Sequence, residues 1–250
     1  MELGSLSKLF AFRVSANTLT RGIPPSFGNL SLLAHFSVGY NYLEGNIPES
    51  IGHLKSLSVF AVGANKLNDM IPSSFYNMSS ISVFTFSQNQ LSGTLPANIG
   101  LTLPNIKLFE ISYNKFFGPI TVSLCNASKL QVIDLGYNNL VGSIPTNLGY
   151  LLDLEVLNLG QNKLGRDLDF LTSLRNCSKM ESLSITLNQF EGVLPNSIGN
   201  LSIKLNELYL GGYKISGAIP AMLQNLINLI GLSMEVNLFT GVIPTYFRNF

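Results

Sequence analysis

The sequence has no tryptophan, and only two cysteines and two histidines among 250 residues. Two thiols cannot build a disulfide scaffold, and the two Cys and two His form no cluster at metal-ligand spacing. Charge is scarce too: 15 Lys and Arg stand against 14 Asp and Glu, a net +1, which is about half the charged fraction of an ordinary soluble domain. That balance excludes the basic excess needed for a nucleic-acid or anionic-membrane partner. Long apolar runs are also missing. From Met70 to Ile106 no side chain is charged, yet Pro72, Pro96, Pro104 and the polar residues between them prevent a membrane-spanning helix, so no direct membrane insertion by this segment is expected. Met1 to Phe10 carries Glu2 and Lys8 and lacks a continuous apolar stretch, so no signal peptide is legible: either the protein is intracellular or its beginning is missing.

Leucine (42) and asparagine (26) are what the sequence has in abundance. Leu supplies core and Asn supplies turns, a pairing that points to a repeat. Alignment on LxxLxLxxNxLxGxIP places a landmark Asn at 17, 41, 65, 89, 114, 138, 162, 188 and 237, with Tyr213 in the one slot that lacks it. These are ten units of 24 to 26 residues, which make residues 1–250 a single array. The sites five before, three before, two after and six after each landmark are apolar in all ten units, as in Phe36, Val38, Leu43 and Ile47. Such a code predicts one short strand per unit with alternate side chains facing inward. Stacked at roughly 4.8 Å, ten such strands form a curved parallel sheet over one continuous core. The landmark Asn turns inward to satisfy backbone groups that the turn would bury. Gly45, Gly93, Gly118, Gly142, Gly192, Gly217 and Gly241 permit a tight bend beyond it, and an Ile-Pro or Leu-Pro pair then holds an extended segment. Phe12, Phe36, Phe60, Phe84 and Phe109 share the inward register and are read as stacked core.

These units resemble the leucine-rich repeats of plant extracellular receptors. The fold implied is a leucine-rich repeat solenoid, an α/β-type horseshoe with a 3-10 or irregular convex side, whose LxGxIP half adds further short strands. Asp169 to Ser178, with Leu210-Gly211-Gly212 and Ile215-Ser216-Gly217, resembles the receptor-kinase subgroup that includes the receptors for bacterial flagellin and elongation factor Tu. In that subgroup the ectodomain precedes a transmembrane helix and a cytoplasmic Ser/Thr kinase. The cysteine-paired terminal caps of the family are absent, as are the membrane helix and kinase, so the chain reads as an internal piece of a longer ectodomain. Arg21, Asp69 and Arg166 replace the usual Gly, Thr121 and Asp169 replace Pro, and Tyr213 replaces Asn; the repeat pattern does not fix the local bends there.

No convergent acid, base and nucleophile, no phosphate-binding glycine loop and no kinase motif is found. The chain itself is therefore read as not an enzyme, with no cofactor and no metal, while the resemblance makes the parent a receptor kinase. His35 falls on the concave face and His53 in a connecting turn. Cys125 and Cys177 lie two units apart, at roughly 4.8 Å per unit, beyond disulfide reach, and are read as free buried thiols.

Five N-x-S/T acceptors occur, at Asn29, Asn77, Asn126, Asn176 and Asn200. Four of the five sit twelve residues after their landmark and so share one edge. Asn225 occupies the same slot without completing an acceptor, so the repeat consensus alone also accounts for the position. If the sites are used, the chain lies outside the cell, on the extracellular face of the plasma membrane by resemblance.

The residues between the inward ones repeat as columns on the concave face. Four before the landmark stand Arg13, Ser37, Ala61, Thr85, Glu110, Asp134, Asn158, Ser184, Tyr209 and Ser233; one before stand Tyr40, Ala64, Gln88, Tyr113, Tyr137, Gln161 and Leu187. Units five to seven thus bring Glu110, Asp134 and Asn158 beside Tyr113 and Tyr137, a set suited to an extended peptide carrying Lys or Arg. Ordinary solvated strand residues would give a similar pattern. Two functions remain: a receptor-kinase module that binds a peptide or protein and recruits a co-receptor kinase ectodomain in immune or developmental signalling, or a secreted inhibitor or receptor-like protein without a kinase.

Overall fold

The computed structural model describes residues 3–245 apart from Tyr213; the ninth landmark slot therefore lies outside the described residues. Ten three-residue strands, from Ala11–Arg13 to Gly231–Ser233, pair in parallel in strict sequence order. The register repeats without a slip: Phe12 faces Phe36, Phe36 faces Phe60, Phe60 faces Phe84, Ile133 faces Leu157 and Leu208 faces Leu232. Each unit contributes its apolar residue five before the landmark at the centre of its strand. A register shift would turn that side chain outward, so the hydrophobic code fixes the pairing.

In units two to eight the residue at each of the four apolar sites is buried. The exceptions gather toward the two ends, where a neighbouring face is missing from the stack. Phe12, Val14, Leu232, Met234 and Phe239 are partly buried, whereas Leu19 is 42% and Ile243 80% exposed. Burial thus follows stacking rather than local sequence. The phenylalanine column begins as a stack, Phe12 on Phe36 at 5.7 Å and Phe36 on Phe60 at 5.3 Å. Beyond Phe60 the rings pack obliquely through Phe75 and Phe86.

Behind eight of the ten strands the landmark Asn joins two units. Asn138 Nδ2 donates to Leu135 O (3.1 Å) and Gly136 O (3.1 Å) of its own unit and to Ile111 O (2.9 Å) of the preceding one. Its Oδ1 accepts the Phe116 N–H at 2.9 Å. The same pattern recurs at Asn41, Asn65, Asn89, Asn114, Asn162 and Asn188, and at Asn237, which reaches back to Leu210 and Ile215. The residue just before the landmark takes a left-handed backbone, with φ between 51° and 58° at Ala16, Tyr40, Ala64, Gln88, Tyr113, Tyr137, Gln161, Leu187 and Val236. That reversal aims the Asn inward. For non-glycine residues it costs roughly 1–2 kcal/mol each, a cost offset by four satisfied backbone partners.

The LxGxIP halves form a second set of parallel strands, a three-stranded run from Thr20–Arg21 to Lys66–Leu67 and a seven-stranded run from Ser92–Gly93 to Leu238–Thr240. Between them the connection shrinks to one bridge, Met70 with Ser92, beside Asp69. The bends at the glycine replacements are kept: Arg21 (φ 68°), Asp69 (φ 65°) and Arg166 (φ 117°) hold positive φ in the range of Gly45 (78°) and Gly93 (117°). Stacking with neighbouring units imposes the turn on side chains that disfavour it. Thr121 keeps the extended backbone of the prolines it replaces (φ −75°, ψ 139°). Asp169 does not; it is right-handed (φ −61°, ψ −32°) and leads into a helical turn, Phe170–Ser173, that takes up the longer unit. Elsewhere the convex side consists mainly of short 3-10 turns such as Pro25–Asn29 and Val122–Asn126.

Candidate ligand-binding site

Adjacent strands bring Glu110, Asp134 and Asn158 side by side, since Glu110 pairs with Asp134 and Asp134 with Asn158. Two like carboxylates one strand apart must either repel or share a partner. Asn158 partly answers this: its Nδ2 donates to Asp134 Oδ1 at 2.8 Å, and its own Oδ1 accepts the Gly160 N–H at 3.0 Å. Asp134 Oδ1 also accepts the Gly136 N–H at 3.2 Å. Glu110 has less relief. Burial, then the charge of Asp134, hold its carboxyl above the usual range, against a hydrogen bond from Thr85 that lowers it. Asn158 is thus a positioning residue for Asp134, and among the described residues neither Asp134 nor Glu110 has an ion-pair partner.

Tyr113 and Tyr137 meet as expected, and more closely than their column implies. Their rings stack in parallel with centroids 3.9 Å apart and planes 13° from coplanar. They remain 47% and 41% exposed, so the pair stands as an aromatic plate at the rim of the acidic groups.

Glu110, Asp134, Tyr137 and Asn158 line a shallow depression of roughly 340 Å³. It runs further than units five to seven, taking in Ser182, Ser184, Thr186, Glu207 and Tyr209. Glu207, whose Oε2 accepts the Ser182 hydroxyl at 2.9 Å, is the residue the sequence columns missed. It occupies the first strand position, six before the landmark, a column that is apolar at Val132 and Val156. Tyr209, in the column four before the landmark, closes the far end. Tyr113 lies behind Tyr137 and does not line the depression. His35, at the start of its strand, packs edge-on against Phe10 at 5.4 Å, while His53, exposed, ends the short turn Glu49–His53.

Asn29, Asn77, Asn126, Asn176 and Asn200 each end a short convex-side turn and are exposed. The hydroxyl of Ser202 is turned inward to Ser178 O at 2.8 Å, whereas Ser31, Ser79, Ser128 and Ser178 are exposed. Cys125 and Cys177 are buried and unpaired, and burial pushes each thiol up to about 11. Among the described residues no helix is long and apolar enough to cross a membrane.

In-register parallel strands, an inward Asn ladder and a second sheet built from LxGxIP segments define a leucine-rich repeat solenoid. The family model described as Leucine Rich Repeat matches residues 129–151. Over 89 residues, 34% of this chain, the sequence is 40% identical to the LRR receptor-like serine/threonine-protein kinase EFR of Arabidopsis thaliana. Over 72 residues, 29% of this chain, it is 46% identical to the receptor kinase-like protein Xa21 of Oryza sativa subsp. japonica. These stretches amount to 9% and 7% of the two kinases. The structure of the plant peptide hormone receptor RGFR1 in complex with RGF2 superposes on 94% of this chain, with a TM-score of 0.88 and 30% identity. The chain covers 37% of that receptor, well under two thirds of its length. The protein is a leucine-rich repeat array, similar over nearly its whole length to a plant peptide hormone receptor and over about a third of it to plant receptor kinases.

Proposed function

We propose that this array is the ligand-recognition part of a plant receptor Ser/Thr kinase displayed outside the cell. Its ligand is a basic, partly extended peptide that lies along the concave face across units five to nine. The observation that carries this reading is the depression floored by Glu110, Asp134 and Glu207 and flanked by Tyr137 and Tyr209. A cation seated between Glu110 and Asp134 forms charge-assisted hydrogen bonds and removes a repulsion that the free protein bears. The tyrosines add contact area at small entropic cost. Similarity to a receptor solved with a peptide hormone supports the ligand class, and a co-receptor ectodomain joining the bound complex belongs to the same proposal. Glycans on the convex turns would leave this face clear.

Selection of a random peptide library on the protein tests the reading. Enriched sequences are expected to carry two or more Lys or Arg within a short extended segment and to lose enrichment against Glu110→Lys/Asp134→Lys. Enrichment of acidic or purely apolar peptides would overturn it.

A further inference from the structure

The Tyr113–Tyr137 pair is closer than binding requires. The left-handed backbone at both positions (φ 53° and 54°) projects the rings from adjacent units in the same direction, and they stack at 3.9 Å with 13° between planes. Both stay open to solvent, at 47% and 41%. The neighbouring Tyr137 hydroxyl holds the Tyr113 phenol above its usual range. Tyr40 occupies the same column at 69% exposure with φ 55°, yet its column neighbours are Ala16 and Ala64. The chain therefore contains its own unpaired control.

We propose that Tyr113 and Tyr137 form an oxidative cross-linking site, which a peroxide-driven one-electron oxidant of the haem peroxidase class converts to an intramolecular dityrosine. Each phenol loses one electron and its proton, giving two neutral tyrosyl radicals. These join through ring carbons ortho to the oxygens, forming one C–C bond. The hydrogens displaced from the coupling carbons return to the phenol oxygens, which restores both aromatic rings. In sum the pair gives up two electrons and two protons, and hydrogen peroxide takes them up to become two waters. Parallel rings held in contact meet at an effective concentration far above that of mobile side chains, so the second radical is captured by its neighbour before it diffuses or is quenched. The product ties unit five covalently to unit six. In the proposed binding reading, on which only this consequence rests, it would also fix one wall of the peptide site.

The protein is treated with a haem peroxidase and limiting hydrogen peroxide, then digested, and the peptides are analysed by mass spectrometry and dityrosine fluorescence. The expected result is one intramolecular linked peptide pair, Tyr113 with Tyr137, lighter by two hydrogens than the sum of its parts. Its yield should be at least about tenfold higher than in urea-unfolded protein, because unfolding removes the proximity. Tyr113→Phe and Tyr137→Phe should each abolish it, while Tyr40→Phe leaves it unchanged. A link that forms equally in unfolded protein, or that joins Tyr40 as readily, or that occurs only between molecules, overturns the proposal. Circular dichroism of the Phe variants confirms that loss of the product is not loss of fold. Peptide binding fails or survives separately, so the cross-link and the binding reading are distinguishable.

Discussion

The side-chain amide of Asn138 lies 2.9 Å from the carbonyl oxygen of Ile111, in the unit before its own. That contact ties one turn of the solenoid to the next. A buried carbonyl is paired at Ile111, and a buried N–H at Phe116, by one side chain from the following unit.

Replacement of Asn138 by Ala should therefore destabilise the array by about 3 kcal/mol, since several buried backbone groups lose their partner at once. The Asn17 side chain donates within its own unit, to Val14 O and Ser15 O, and is exposed. Asn17→Ala should cost under about 1 kcal/mol. Urea unfolding followed by circular dichroism compares the two, and equal losses would mean that bonding between units contributes nothing.

Arg166 carries a φ of 117° in a slot that glycine fills elsewhere. That region of backbone space is strained for a residue with a Cβ by roughly 1–3 kcal/mol, while the extra freedom of an unfolded glycine takes back roughly 0.5–1 kcal/mol. Arg166→Gly is thus expected to stabilise the protein by about 1 kcal/mol, visible as a higher denaturation midpoint. Gly142→Ala, at φ 86° with only Pro119 near the new Cβ, should shift the midpoint the other way.

Glu110 titrates above its ordinary range because of burial and Asp134. A carboxyl whose folded pKa is raised favours the folded state while protonated. Its contribution is complete below the unfolded pKa and is lost as pH rises through the folded one. At neutral pH the ionised Glu110 is therefore destabilising, and Glu110→Gln should raise stability there. The advantage should fade as acid protonates the wild-type residue. A pH series of unfolding curves reads the effect; an advantage that grows in acid would contradict the assignment.

Secreted through plant cells, the protein should carry N-glycans at Asn29, Asn77, Asn126 and Asn176, whose side chains and acceptor serines are exposed. Asn200 is expected to be occupied only if transfer precedes folding, because Ser202 is buried against Ser178 in the finished structure. Mass spectrometry before and after glycosidase treatment reads each site, and a folded, secreted protein bare at the first four would show that the acceptors are not used.

The period of the sequence carried much of this. Spacing between landmarks sets which residues pair, so Glu110 beside Asp134, and Tyr113 beside Tyr137, follow from counting alone. Two features were not legible. Ala64, Gln88 and Leu187 give no sign of a left-handed backbone, because inward bonding of the following Asn, rather than their own preference, imposes it. Glu207 was hidden because its column is apolar in several other units, and only the extent of the depression places it with Asp134. Nor does the column reveal that the Asn158 amide, there a ligand candidate, is committed to Asp134.

The claim on which the account turns is that the acidic concave face holds a basic ligand. Calorimetric titration of one library-selected Lys/Arg peptide into the wild-type protein and into Glu110→Lys/Asp134→Lys measures it directly. The account predicts that the double variant folds as the wild type does and binds more weakly by about 2 kcal/mol or more, as for charge pairs desolvated at an interface. Equal affinity in the two proteins would show that Glu110 and Asp134 are solvated strand residues, with recognition located elsewhere on the solenoid.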